Sequence, residues 1–309
     1  MQLHYNILWI DNDLPEYIER GQIERLNDFL SDLGFEPNVV TLFDEKELDD
    51  HLKKTKFDLI VSDYQLDNTT GDKIIENIRD KYLTEILFYS AKVNFRDDQE
   101  VKNRLAFLDR ISFHTGRDTL LERIEKLIEL TLEKLLDLNA TRGIITSATS
   151  ELDVTIEGLT HYVLIEKLKK SEKELSSIVE EYVSDFLEKS PENFRGKLAE
   201  MGFKNVFGLI EANRKWQIFR KAIKEFKSLN DDQILTEFLN QNKTYFTEII
   251  DIRNKFAHAK AEEKEGKLVL KGQYGKEDFE FDIDSCVQIR KSIIAHKNNF
   301  DKLKVHFGI

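Results

Sequence analysis

The chain has 309 residues, 40% hydrophobic and 34% charged with three prolines, enough for two ordinary domains with separate cores and too much for one small domain. No apolar run reaches the roughly 18 to 20 residues that span a bilayer, and Met1–Leu8 is too short and polar for a secretory signal, so a cytoplasmic location without membrane attachment is expected. The net charge of -12 argues against indiscriminate nucleic-acid binding, and the single cysteine, Cys286, excludes an intramolecular disulfide or a cysteine-based zinc site. The charge is uneven: residues 1–118 hold 25 acidic against 15 basic residues, which leaves a nearly neutral 33 against 31 for the rest. An RNA or DNA partner of the C-terminal part is therefore compatible with its charge.

From Leu3 to Phe113, short apolar runs alternate with amphipathic stretches, the pattern of βα units around a parallel sheet. Strands are predicted at Tyr5–Ile10, Asn38–Leu42, Phe57–Ser62, Glu85–Tyr89 and Arg110–Phe113. Helices are predicted at Pro15–Leu33, with Gly34 just past its end, and at Glu45–Lys53, Asp72–Lys81 and Asp98–Leu108. In such a sheet the functional loops follow the carboxyl ends of the strands. Those positions hold Asp11, Asn12 and Asp13, then Asp63, then Ser90 and Ala91, then His114.

Residues 1–120 resemble the receiver domains of two-component response regulators. Asp63 stands where that family has its phosphoacceptor, Leu66 and Gly71 match the apolar residue and glycine three and eight positions on, and Ser90–Ala91 matches the hydroxyl residue and small neighbour. The resemblance implies a flavodoxin-like α/β fold with a five-stranded parallel sheet, and Mg²⁺ held by Asp11 and Asp63 while an aspartate oxygen attacks phosphorus. Two positions depart from it. The second acid of the family's pair is Asn12, with Asp13 one place later, and the family's lysine after the fifth strand is absent, leaving His114, Arg117 or Lys92 as stand-in cations. Phosphorylation, phosphate sensing and a partner-binding pseudo-receiver all remain open, as does a plain helix-capping role for Asp11 and Asp13.

From Thr119 the apolar spacing becomes helical, with a stripe through Leu120, Ile124, Leu127, Ile128, Leu132, Leu135 and Leu136 that predicts a connecting helix, with a first weak break at Asn139–Gly143. A second long helix is predicted over Ser147–Lys189, ending before Pro191, and further helices at Glu192–Met201, Val206–Phe226, Asp231–Asn240, Lys243–Ala259 and Asp284–Lys304. Lys267–Leu270 and Phe279–Asp282 read as a β-hairpin. The expected division is a receiver-like domain over 1–118, a connecting helix over 119–145 and an all-α bundle with a hairpin insertion over 146–309. Long helices of this kind bury their stripes on each other or on a second copy, so a homodimer is expected.

Within the bundle, Phe246, Ile249, Ile250 and Ala257 share an apolar edge on which Arg253 also falls, and Asn254 and His258, four apart, stack on one face. Arg253–Asn254 followed by His258 resembles the HEPN superfamily, whose active members are metal-independent ribonucleases; the resemblance covers residues 145–309 and implies these three as catalytic residues. A histidine can exchange protons near neutrality with the ribose 2′-hydroxyl or the 5′-leaving oxygen, and an arginine fork can hold the phosphate. Arg290 and His296 repeat the loose pattern, but Lys291, Ile293 and Ile294 mark an ordinary packed helix. Arg214, Trp216, Arg220 and Lys221 lie on a basic helix that offers RNA contacts, against the plainer reading of Trp216, Phe219, Ile223 and Phe226 as a core stripe.

The sequence thus predicts a receiver-regulated endoribonuclease acting on RNA, in the manner of a toxin or phage-defence effector, with a histidine kinase or another regulatory protein as partner. The competing expectation is a non-enzymatic signalling adaptor using both halves for dimerisation and partner binding. A DNA-binding response regulator is disfavoured because no helix-turn-helix is recognisable.

Overall fold

The computed structural model describes residues 3–44, 46–66, 69–71, 73–74, 84–90, 110–132, 136–187, 200, 202–230, 232–264, 267–271 and 278–309. The expected helices Asp72–Lys81, Asp98–Leu108 and Glu192–Met201 lie outside these residues apart from Lys73, Ile74 and Glu200, as do Ala91 and Lys92. The chain divides into two units, Gln2–Ala140 and Thr141–Ile309. None of the described helices is long and apolar enough to cross a membrane.

In the first unit, β1 (His4–Ile10), β2 (Glu36–Leu42), β3 (Leu59–Asp63), β4 (Glu85–Ser90) and β5 (Ile111–Thr115) form one parallel sheet in the order β2-β1-β3-β4-β5. The central strands are near-continuous apolar runs because both faces of a parallel sheet are covered. Leu8, Ile10, Ile60, Ile86 and Phe88 are wholly buried in one cluster, and each such side chain contributes about 1.5–3 kcal/mol of burial. The predicted helix Pro15–Leu33 is two helices, α1 (Leu14–Glu19) and α2 (Gln22–Asp32), because Gly21 takes a left-handed conformation at φ 67° between them. β2 begins two residues earlier than predicted and β5 ends two later, so His114 lies inside β5.

After α3 (Leu48–Lys54), the helix α4 (Leu120–Leu132) belongs to this unit, where the sequence stripe suggested a separate connector starting at 119. Its buried face is the predicted one, and Glu125 and Thr131 tie it to α2 and β1 through Arg25 and the Tyr5 hydroxyl. The next helix, α5 (Leu138–His161), runs straight through the weak break expected at Asn139–Gly143.

The second long helix predicted over Ser147–Lys189 is interrupted. A π-helical turn at Tyr162–Lys167 follows α5, Lys169 turns left-handed at φ 51°, and α6 (Glu172–Leu187) starts anew. A reciprocal cap sets that start: Glu174 accepts from the Ser171 N–H at 2.8 Å while the Ser171 hydroxyl faces the Glu174 N–H at 3.5 Å. After a helical segment at 202–208 come α7 (Ala212–Leu229), α8 (Gln233–Gln241, capped by Asp232), α9 (Asp251–His258) and α10 (Ile283–Phe307, with an Asp282–Ser285 capping box). The predicted hairpin is a three-stranded antiparallel sheet, because Ala261–Lys264 (β6) pairs with Lys267–Leu270 (β7), which pairs with Phe279–Phe281 (β8).

Candidate functional site

Asp11 follows β1 and Asp63 ends β3, so adjacent strands deliver both carboxylates to the carboxyl edge of the sheet. Asp11 has no exposed surface and Asp63 is 6% exposed. The Asp13 N–H donates to Asp11 Oδ1 at 2.6 Å, and the Tyr89 hydroxyl donates to Asp11 Oδ2. Tyr89 is fixed in turn by the Trp9 indole N–H at 3.0 Å, and Tyr17 packs over Trp9 with ring centroids 5.0 Å apart. Asp63 Oδ1 accepts from the Gln65 N–H at 3.1 Å. Ser90 is buried at the end of β4, and Asn12 is half-buried in the turn after β1.

These surroundings set the electrostatics. Burial, reinforced by the negative charge of Asp11 and opposed by the Gln65 N–H and Arg117, pushes the Asp63 carboxyl up to about 6. Burial also raises Asp11, against the hydrogen bond from Tyr89. Of the stand-in cations, Arg117, two residues past β5, reaches these acids, and Lys92 lies outside the described residues. Its Nη2 bonds Asp13, its Nη1 lies 3.3 Å from Glu16 Oε2, and the bond to Asp13 raises its pKa further. His114 instead meets the Thr119 hydroxyl at 3.2 Å, and burial lowers its pKa.

The receiver resemblance implies Mg²⁺ at Asp11 and Asp63, and the donor set does not fit it. Mg²⁺ keeps several water ligands in a near-octahedral shell, whereas Asp11 is sealed behind aromatic rings with both oxygens hydrogen-bonded, and Asp13 is paired with Arg117. Among the described residues no three His, Cys, Asp or Glu side chains converge as a metal site.

In the second unit the chain enters α9 through a π-helical turn, Phe246–Ile250. A π turn holds more residues than an α turn and so rotates the helix faces that come after it. Ile249, Ile250 and Phe256 are buried as a result, while Phe246 and Ala257, expected on the apolar edge, are exposed. Arg253 and Asn254 are half-buried. Asn254 Oδ1 accepts from Arg253 Nε at 3.4 Å and Nη2 at 3.2 Å, and Asp153 on α5 lies 3.8 Å from Arg253 Nη1. Burial raises the Asp153 carboxyl, against the charges of Lys215 and Arg253. His258 is the last residue of α9, and its side chain lies outside the described residues. The carbonyl of Ala259, the next residue, accepts from Arg142 Nη2 at 3.0 Å, which anchors the chain where the helix ends.

The second Arg and His pair is buried on the inner face of α10, Arg290 at 1% exposure and His296 at 2%. Asn242 donates through Nδ2 to the Phe238 carbonyl, so its Oδ1 accepts from His296 Nδ1 at 2.7 Å; His296 Nε2 lies 2.8 Å from Glu248 in the π turn. His296 therefore holds the turn that leads into Arg253. On the basic helix, Trp216 packs in the core at 4.4 Å from the Tyr245 ring, so stacking a base on it would require opening the core. Arg214 bonds Glu211 and the Tyr182 carbonyl, Lys221 bonds both oxygens of Glu181, and Arg220 is half-buried.

The first unit has the five-stranded parallel, flavodoxin-like fold expected of a receiver domain, with Asp63 at the carboxyl end of β3; its strand order carries that statement. Comparison with solved structures finds similarity to the crystal structure of a two-component response regulator from Clostridium difficile, at 17% identity over 43% of this chain and 98% of that one, with a TM-score of 0.33. It also finds the BeF3-activated DrrB receiver domain, at 13% identity over 42% of this chain and 98% of that one, with a TM-score of 0.31. No family model and no curated protein matches the chain.

Three participants belong to no sequence motif. Tyr89 is a tyrosine in a fully buried strand, and the need of its hydroxyl for a partner is the signal that points to Asp11. Asp153 is an acid between the buried Leu152 and Ile156, on a helix that otherwise reads as packing. Arg142 sits inside the stretch read as a helix break.

Proposed function

We propose that this protein is a two-part signalling effector in which the receiver-type unit controls RNA cleavage by the helical unit. The observation that carries the reading is the Arg253 guanidinium, one-third exposed and oriented by Asn254 and Asp153, on the short helix that ends at His258. A guanidinium so held keeps donors free to bind a phosphate in two-pronged fashion and to offset the charge that builds at phosphorus.

In the proposed reaction the ribose 2′-hydroxyl loses its proton, its oxygen attacks the adjacent phosphorus, and the bond to the 5′-oxygen breaks as that oxygen gains a proton. The products are a 2′,3′-cyclic phosphate and a 5′-hydroxyl. His258 serves as one of the two proton carriers. Each chain supplies one such histidine, so the complementary carrier comes from a second copy in a symmetric homodimer, as the HEPN resemblance implies. The same resemblance suggests a toxin or phage-defence role, with a histidine kinase or other regulatory protein acting at the Asp63 face.

One observation favours a variant of this reading: with Asp11 sealed and Asp13 paired with Arg117, the receiver-type unit acts by docking a partner. The test is incubation of the purified chain with total RNA, with and without acetyl phosphate. Fragments with 5′-hydroxyl ends are expected, formed about 10³-fold more slowly by Arg253→Ala and by His258→Ala. RNA left intact under both conditions would favour the non-enzymatic adaptor instead.

A further inference from the structure

At the loops after β1 and β3, Asp13 and Glu16 lie side by side near Asp11 and Asp63, which feel each other's charge; no three of these acids converge on one point, but negative charges so placed call for a cation. The chain supplies one of its own. Arg117 reaches back from beyond β5 to bond Asp13 through Nη2 and Glu16 through Nη1, and its charge also acts on Asp11 and Asp63. A fixed guanidinium is weakly hydrated and binds carboxylates edge-on without bringing water. The Arg117 side is partly exposed, but the opposite wall is closed: the Tyr89 hydroxyl bonds Asp11 Oδ2, and Trp9, Tyr17 and Tyr89, each at most 4% exposed, pack beside that carboxylate. A divalent ion binding Asp11 and Asp13 would have to break the Tyr89 bond and draw Asp13 from Arg117.

We propose that Arg117 is the resident cation of this pocket, locked in with Tyr89, and that together they replace a bound divalent ion in the receiver-type unit. Arg117 and Tyr89 are positioning residues under this assignment: they hold Asp11, Asp13 and Glu16 in one arrangement and keep the metal out. The inference stands on the α/β unit alone, so its outcome is separate from that of the RNA-cleavage assay.

Calorimetric titration of the full chain with MgCl₂ tests it. The wild-type protein is expected to show no saturable binding up to about 20 mM. Arg117→Gln combined with Tyr89→Phe should bind Mg²⁺ at least about tenfold more tightly, since the acids then face one another without a cation. Adding Asp11→Asn to that pair should abolish the gain, which separates this pocket from the many surface carboxylates. Arg117→Lys, which keeps the charge, should bind no better than wild type. Far-UV circular dichroism checks that each variant is folded. Saturable millimolar binding by the wild type overturns the proposal even if every variant unfolds, and so does a folded double variant that gains nothing.

Discussion

The two units each place an arginine beside acids, yet the two clusters differ in what the charges face. In the α/β pocket, Arg117 joins Asp13 and Glu16, Tyr89 joins Asp11, and both central carboxylates are buried. In the helical unit, Arg253 is about as exposed as Arg117, 33% against 29%, but it meets its acid, Asp153, only at 3.8 Å. Removing the cation whose charge acts on two buried carboxylates is costly because they lose that balance, whereas a loose, partly exposed pair is worth little and exchanges readily for another anion. The first arrangement suits a fixed internal structure, and the second suits a ligand.

The largest expected effect concerns the part of the helical unit that does not face solvent. Trp216→Ala should destabilise the protein by about 3–5 kcal/mol, measured by urea unfolding, because its ring fills a core shared with Tyr245 and Phe300. If the variant instead lost RNA affinity at unchanged stability, the basic helix would be the open surface and the contrast between the two clusters would fail. Gly71→Ala sharpens the other side. A Cβ there would lie 2.7 Å from Phe88 Cε1 and 2.8 Å from the Asp63 carbonyl oxygen, so the loop after β3 must shift; a loss of about 1–3 kcal/mol is expected from the same unfolding curves.

The smallest effect is pH-dependent. The folded Asp63 carboxyl, at about 6, lies above its ordinary value of 3.8, so the folded state holds the extra proton between those limits. Wild-type stability should therefore fall as pH rises from about 4 through 6, and Asp63→Asn should be about 2 kcal/mol more stable at pH 7 with no advantage at pH 4. A variant no more stable than wild type at pH 7 would mean that the pocket is open to solvent.

Much of the first unit is legible in the sequence, because strands buried on both faces must be apolar runs and the residues after them must serve some other purpose. Leu66 and Gly71 are informative for the same reason: the site of Gly71 has no room for a side chain. Arg117 is harder to read, since the cation reaches the pocket from two residues beyond the strand end and spacing rules look for it at the strand end itself. The single helix read over Pro15–Leu33 fails at Gly21, where a left-handed residue leaves the apolar periodicity on either side intact. The Ser171–Glu174 cap carries a sequence signature that an unbroken helical stripe hides. The π turn before Arg253 has no local signature, because Phe246–Ile250 would also suit an α-helix, and His296 on a distant helix takes part in holding it. Arg253, Asn254 and His258 fall on one short helix, so their proximity in sequence is also proximity in space. Asp153 reaches Arg253 from 100 residues away, a proximity that no local pattern could announce.

The chain has two tryptophans, and the fold assigns one to each cluster. Trp9 donates to Tyr89, which donates to Asp11, while Trp216 packs against Tyr245, whose hydroxyl is held above its ordinary pKa by burial, with Asp153 adding to the shift and Arg253 opposing it. Each unit therefore contains its own intrinsic fluorophore within two side chains of the charges that matter. Single Trp→Phe replacements make the protein spectroscopically one-sided, so that an event at the Asp11 pocket and an event beside Arg253 can be timed separately, without an attached dye, in the same full-length chain.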